Sequence, residues 1–128
     1  MNTIIVCLFI TILLPYVLKG IVANFMAKEG KYDNNYPRVQ QARLQGIGAR
    51  AVGAHQNGFE SLLVFATAAL TALATNHVTP TIQILAIIYV ISRIVYNFFY
   101  LMDMASLRST TWFIGFICCL TILWLCMM

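Results

Sequence analysis

Two stretches of this chain carry charged and hydrogen-bonding side chains inside otherwise apolar runs. The first holds His55, Gln56, Asn57 and Glu60, and the second holds Arg93, Tyr96, Asn97, Tyr100 and Asp103. Arg93, Tyr96, Asn97 and Tyr100 fall at i, i+3, i+4 and i+7, one stripe of a helix. In the first stretch Arg43, Arg50 and Asn57 recur every seven residues, with Glu60 three further on, which is again one face. Guanidinium, carboxylate, amide and phenol groups gathered in this way suit a small zwitterionic ligand bearing carboxylates. Arginine donates to a carboxylate, glutamate accepts from an ammonium, and an amide does both. The competing reading is a ladder that only joins helices through interhelical hydrogen bonds.

The elements that must position these groups are membrane helices. Of 128 residues, 61% are hydrophobic and only 9% charged, too apolar for a soluble domain. Apolar runs of roughly 20 residues span a bilayer as helices, and four can be marked at about residues 3–25, 53–75, 81–102 and 111–128. The expected fold is all-α: one antiparallel, up-down bundle of four transmembrane helices over residues 1–128. A secretory leader is disfavoured for the first run, which has no Lys or Arg ahead of it and continues to Leu18 without a clear cleavage site. Pro15 within it is tolerable where neighbours satisfy the backbone.

The net charge of +4 reads as membrane topology rather than nucleic-acid binding. Lys19, Lys28, Lys31, Arg38, Arg43 and Arg50 lie between or flank the first two spans, and Arg108 lies between the last two. The positive-inside rule then places both basic turns in the cytoplasm and both termini on the far side. Cys7, Cys118, Cys119 and Cys126 sit in apolar stretches with neither zinc-site spacing nor a disulfide framework, so they read as buried hydrophobes. His55 lacks a second ligand at i+4 and reads as a bundle hydrogen-bonder; His77 reads as a turn residue. No metal site is expected.

Local signals set the helix ends. Asn34 or Asn35 can cap and Pro37 suits a first turn, so the second helix is expected from near Pro37 through Thr75. Pro80 should open the third helix, and the fourth should begin around Ser109. Antiparallel helices joined by a short turn at Asn76 and His77 bring positions equidistant from that turn to the same depth. This matches Glu60 with Arg93, Asn57 with Tyr96, and Arg50 with Asp103. The two charged pairs are opposite in sign, so these faces are expected to meet within one chain or across neighbouring chains.

These features resemble the MAPEG family, which includes microsomal glutathione transferases and the leukotriene and prostaglandin synthases. The resemblance rests on the four-span layout, on RAVGAHQNGFE at residues 50–60 and on RIVYNFFY at residues 93–100. YDNNYPR before the second helix and LRSTTW opening the fourth are most similar to bacterial members of unassigned function, which implies a bacterial inner membrane. The resemblance implies a homotrimer with sites between neighbouring subunits, open to the cytoplasm and holding bent glutathione as co-substrate. Asn57 and Glu60 would contact its backbone and amino group, and Arg93, Tyr96 and Tyr100 would complete the wall. Arg108 aligns with the arginine that holds the thiolate. The implied activity is a glutathione transferase or peroxidase acting on a hydrophobic electrophile or a lipid peroxide drawn from the membrane lipid. Two positions depart from the pattern. Gly53 stands where the catalytic synthases carry an arginine, with Arg50 one turn earlier as the nearest substitute, and Trp112 stands where some members carry a tyrosine. These departures suit the alternative of a non-catalytic binding or scaffold protein; a transporter or channel subunit is a third reading.

Overall fold

Hydrocarbon offers no partner to a backbone N–H or C=O, so an apolar chain that enters it must satisfy its own backbone, as a helix does. The computed structural model describes residues 1–128 and contains five helices: α1 (Asn2–Lys28), α2 (Pro37–Ala42), α3 (Gly46–Ala74), α4 (Pro80–Leu101) and α5 (Ala105–Met127). All but α2 are long and apolar enough to cross a membrane. α1 packs on α3, α4 packs on α5, and α3 joins the two pairs. Contacts between α3 and α4 run from Arg50 with Leu101, through Asn57 with Arg93, to Ser61 with Tyr89. Numbers rise on one helix as they fall on the other, so the two run in opposite directions.

Small residues let the helices approach closely. A Cβ at Gly58 would lie 3.0 Å from Pro15 Cγ, and one at Gly115 would lie 2.7 Å from Ser92 Oγ. At the α1–α3 contact His55 Nδ1 donates to the Pro15 carbonyl at 2.7 Å, as a bundle hydrogen-bonder should. The larger core fills the half of the bundle away from the basic turns. There Ala68, Ala69, Ala72 and Ala86 surround the stacked rings of Phe65 and Tyr89, whose centroids lie 4.0 Å apart. Cys7, Cys118 and Cys119 are buried as free thiols and Cys126 is half-buried.

Two helix boundaries differ from the sequence expectation. The second helix is not continuous from Pro37: α2 stops at Ala42 and α3 restarts at Gly46, whose φ of +57° suits glycine. The break turns Leu44 inward against Val22, Met26 and Ala51. The preceding loop is held by Gln40, which donates to the Met26 and Lys31 carbonyls and accepts from Asp33 N–H. Asp33, rather than Asn34 or Asn35, accepts the N–H groups leading into α2. The last helix starts at Ala105 rather than Ser109 because α4 ends in a compact turn. Asp103 takes φ 60° while its N–H bonds the Tyr100 carbonyl and Met104 N–H bonds that of Phe99, the Schellman arrangement. Asn76 ends α3 in the same way, with φ 57° and bonds from Asn76 and His77 to Leu73 and Ala72.

Since Gly58 has Pro15 against it and Gly20 has nothing within 4 Å, overpacking should be felt at one and not at the other. Gly58→Val is expected to lose about 1–3 kcal/mol in detergent unfolding, and Gly20→Val to leave the midpoint unchanged.

Candidate functional site

The polar stripe of α4 faces α3 near the basic turns, and α5 closes the third side. Between them lies a cavity of about 380 Å³. α3 contributes Gly53, Gln56, Asn57 and Glu60; α4 contributes Tyr96 and Tyr100; α5 contributes Arg108, Ser109, Trp112 and Phe113. Five of the seven residues expected at a site therefore line one space: Asn57, Glu60, Tyr96, Tyr100 and Arg108.

Arg93 and Arg50 lie elsewhere. Arg93 is 3% exposed and sits behind the wall rather than in it. Its Nη2 donates to Asn57 Oδ1 at 2.8 Å, and its guanidinium carbon lies 4.0 Å from the centroid of the Tyr96 ring. Asn57 Nδ2 in turn donates to Glu60 at 3.3 Å. The expected Glu60–Arg93 contact is thus replaced by a relay through Asn57: equal depth put the two at one level, but Arg93 turns into the bundle while Glu60 turns toward the opening. Arg50 does not reach Asp103 either. Its Nε donates to the Leu101 carbonyl at 3.0 Å. The other three terminal carbonyls of α4 accept from Met102, Asp103 and Met104, so Arg50 satisfies the remaining one, and Asp103 is committed to the turn.

A line of aromatic and cationic groups crosses the cavity floor. Tyr96 and Tyr100 meet edge to face with centroids 5.7 Å apart, and the Arg108 guanidinium carbon lies 4.5 Å from the Tyr100 centroid. Arg93 and Arg108 thus each face a phenol ring, an attraction worth about 0.5–2 kcal/mol. The start of α5 at Ala105 means that Arg108 N–H already bonds Met104 O at 2.9 Å. The positive end of the helix therefore lies one turn before Ser109.

The two departures from the family pattern both face the cavity. A Cβ at Gly53 would overlap the Tyr100 hydroxyl, so Tyr100 takes the space that a side chain at position 53 would need. Trp112 stacks on Phe116 with centroids 5.1 Å apart and meets Phe113 edge to face. Sequence reasoning missed Gln56, Ser109 and Phe113 as lining residues. Gln56 carried a signal as a polar side chain beside Asn57, whereas Ser109 and Phe113 emerge only once α5 is phased by its true start. Asn97, on the same stripe of α4, keeps its Oδ1 buried without a hydrogen-bond partner. No group of three His, Cys, Asp or Glu side chains gathers into a set able to hold a metal.

Because Asn57 is the hydrogen-bond partner of the buried guanidinium, Asn57→Leu should cost about 1–3 kcal/mol in unfolding experiments. Adding Arg93→Met should restore part of the loss, since both polar partners are then gone; a purely additive double variant contradicts the relay.

Comparisons with known proteins bear on the whole chain. Searches of curated proteins and of solved structures return no match. The model of the MAPEG family matches residues 3–128. With that match covering nearly its whole length and four helices able to cross a bilayer, the chain belongs to the MAPEG family and is an integral, multi-pass membrane protein.

Proposed function

We propose that the cavity binds glutathione and that the protein is a glutathione-dependent transferase or peroxidase acting on hydrophobic electrophiles or lipid peroxides. The observation that carries this reading is the convergence of Arg108, Glu60, Asn57 and the two phenols on one cavity of about 380 Å³, within the roughly 300–1,000 Å³ typical of small-ligand sites. These groups fit the tripeptide: Glu60 accepts from its α-ammonium, Asn57 bonds its amides, Tyr96 and Tyr100 donate to its carboxylates, and Arg108 faces its sulfur. Arg93 acts from behind by fixing the Asn57 amide and the Tyr96 ring, and Arg50 by holding the end of α4.

A free thiol has a pKa of about 8.5 and is mostly protonated at neutral pH. A guanidinium that cannot lose its own proton stabilises the anion and so lowers that value. The thiolate then forms a bond to carbon and expels a leaving group. With a peroxide it attacks oxygen and breaks the O–O bond, and a second thiol completes the disulfide. Trp112 offers only an N–H donor, so the mechanism draws no proton from position 112.

Assembly and sidedness belong to the same reading. The exposed side of α3 carries Ala49, Gln56, Leu63 and Leu70 at seven-residue intervals, the spacing of a helix–helix seam. This supports association of copies through α3, in the homotrimer that the family resemblance implies, with a neighbour adjoining the cavity through Gln56. The basic residues around the α1–α3 connection, with Arg108 in the first turn of α5, support a cytoplasmic position for that end in a bacterial inner membrane. One observation favours a second reading as a non-catalytic binding or scaffold protein: Tyr100 and Trp112 occupy the places from which an added arginine and tyrosine act in catalytic relatives.

Calorimetric titration of purified protein with glutathione, followed by conjugation of a chlorinated nitrobenzene, separates the two. Wild type should bind and turn over, and the bound thiol should ionise below the free value of about 8.5 in its ultraviolet thiolate band. Arg108→Ala should move that ionisation upward and lower kcat by about 10²-fold. Glu60→Gln should weaken binding about tenfold, the loss of a charge-assisted bond. Absence of both binding and turnover in wild type leaves the scaffold reading.

A further inference from the structure

Below the cavity just described, α3 and α5 part a second time. A cleft of about 140 Å³ extends further into the bilayer, walled by Ser61, Val64, Tyr89, Phe116 and Cys119. Asn57, Glu60 and Trp112 border both spaces, so the polar cavity and the apolar cleft share a rim. Glutathione is polar along its length and has no use for a wall of valine, phenylalanine and indole. A cavity of about 150 Å³ lined by apolar side chains accepts a benzene ring, so this cleft is of ring size. It is too small for the body of a long-chain lipid.

Its polar feature is a hydroxyl pair. Ser61 Oγ lies 2.7 Å from Tyr89 Oη, and Tyr89 Oη also donates to the Ser61 carbonyl at 3.1 Å. Because the tyrosine proton is committed to that carbonyl, the serine hydroxyl can rotate away without orphaning a donor. A ligand oxygen in the cleft therefore finds a donor released at little cost. Ser61 also lies one helical turn, about 6 Å, inward of Asn57, so a ligand bonded to it reaches back toward the rim.

Resting on the glutathione reading of the outer cavity, we propose that this cleft seats the second substrate. That substrate is a compact α,β-unsaturated ketone whose carbonyl oxygen accepts from Ser61 and whose ring lies against Val64 and Phe116. The glutathione thiol loses its proton to water and its sulfur bonds the β-carbon. The C=C π pair moves to the α-carbon and carbonyl, where the enolate oxygen is held by Ser61, and a proton from water then adds at the α-carbon. The sum is an addition with no leaving group and no oxidant.

The two tryptophans of the chain permit a direct test. With Trp124→Phe as background, Trp112 at the rim reports occupancy, and 2-cyclohexen-1-one without glutathione should quench it saturably. Val64→Phe, which fills the cleft, should abolish saturation and raise KM for the ketone at least about tenfold with glutathione affinity retained. Val64→Leu should fall between, which guards against a folding defect. Ser61→Ala should lower kcat for the ketone by about 10²-fold, and Ser61→Thr, which keeps the hydroxyl, should recover most of it. Linear, collisional quenching indifferent to Val64→Phe overturns the cleft as a site. Turnover unchanged in Ser61→Ala overturns its role as donor. Saturable quenching without calorimetric glutathione binding overturns the reading of the outer cavity, and the thiol addition with it.

Discussion

A guanidinium cannot shed its charge inside a bundle that crosses a bilayer, so Arg93 must find its compensation within the fold. An arginine at mid-membrane costs about 2.5–3.5 kcal/mol on insertion scales, and here the side chain is all but closed off from the surface. The Asn57 carbonyl oxygen and the face of Tyr96 supply that compensation. Most of the polar half of the molecule follows from this. With its oxygen committed to Arg93, the Asn57 amide has its nitrogen turned toward Glu60, and with its ring under one guanidinium, Tyr96 sets its edge against Tyr100, which lies under the other. The cavity wall is thus held by bonds made on the side away from the cavity.

The opposite half of the bundle has no such network and is rigid for a different reason. Alanines on α3 and α4 bring the backbones together around the Phe65–Tyr89 stack. Tyr89 belongs to both regimes: its ring is part of the apolar core and its hydroxyl reaches the serine of the inner cleft. Helix phase is therefore fixed at two levels, by packing at one end and by hydrogen bonds at the other. Side chains on three helices can then converge without a loop to carry them.

The spans and the polar stripe were legible in the sequence because both depend on periodicity, which survives translation into any bundle. Depth was legible to within about one helical turn: distances from the turn at Asn76 matched Arg93 with Glu60, and the structure bonds it to Asn57, three residues from Glu60 on the same helix. Direction around the helix axis was not, and it decided the contacts: Arg93 turns inward, Glu60 turns outward, and Asn57 stands between them. Arg50 and Asp103 separated for a related reason. A left-handed residue was needed to end α4, Asp103 supplied it, and the last carbonyl of the helix took Arg50 instead. Terminations at aspartate and asparagine carry a weaker signal than those at glycine, which is why α5 begins earlier than its composition suggests. The break before α3 is carried by Gly46 and by the burial of Leu44, and that burial depends on helices distant in sequence.

The close approach of Tyr100 to Gly53 limits what position 53 can hold. An arginine at position 53 and a tyrosine in its present rotamer at position 100 exclude one another, so a side chain gained at 53 requires the Tyr100 ring to turn aside or a smaller residue to stand at 100 first. A transplanted arginine would bring its charge to the cavity only after the Tyr100 hydroxyl had moved out of that space. Gly53 is therefore half of an alternative wall for the same cavity rather than a gap in an otherwise complete motif.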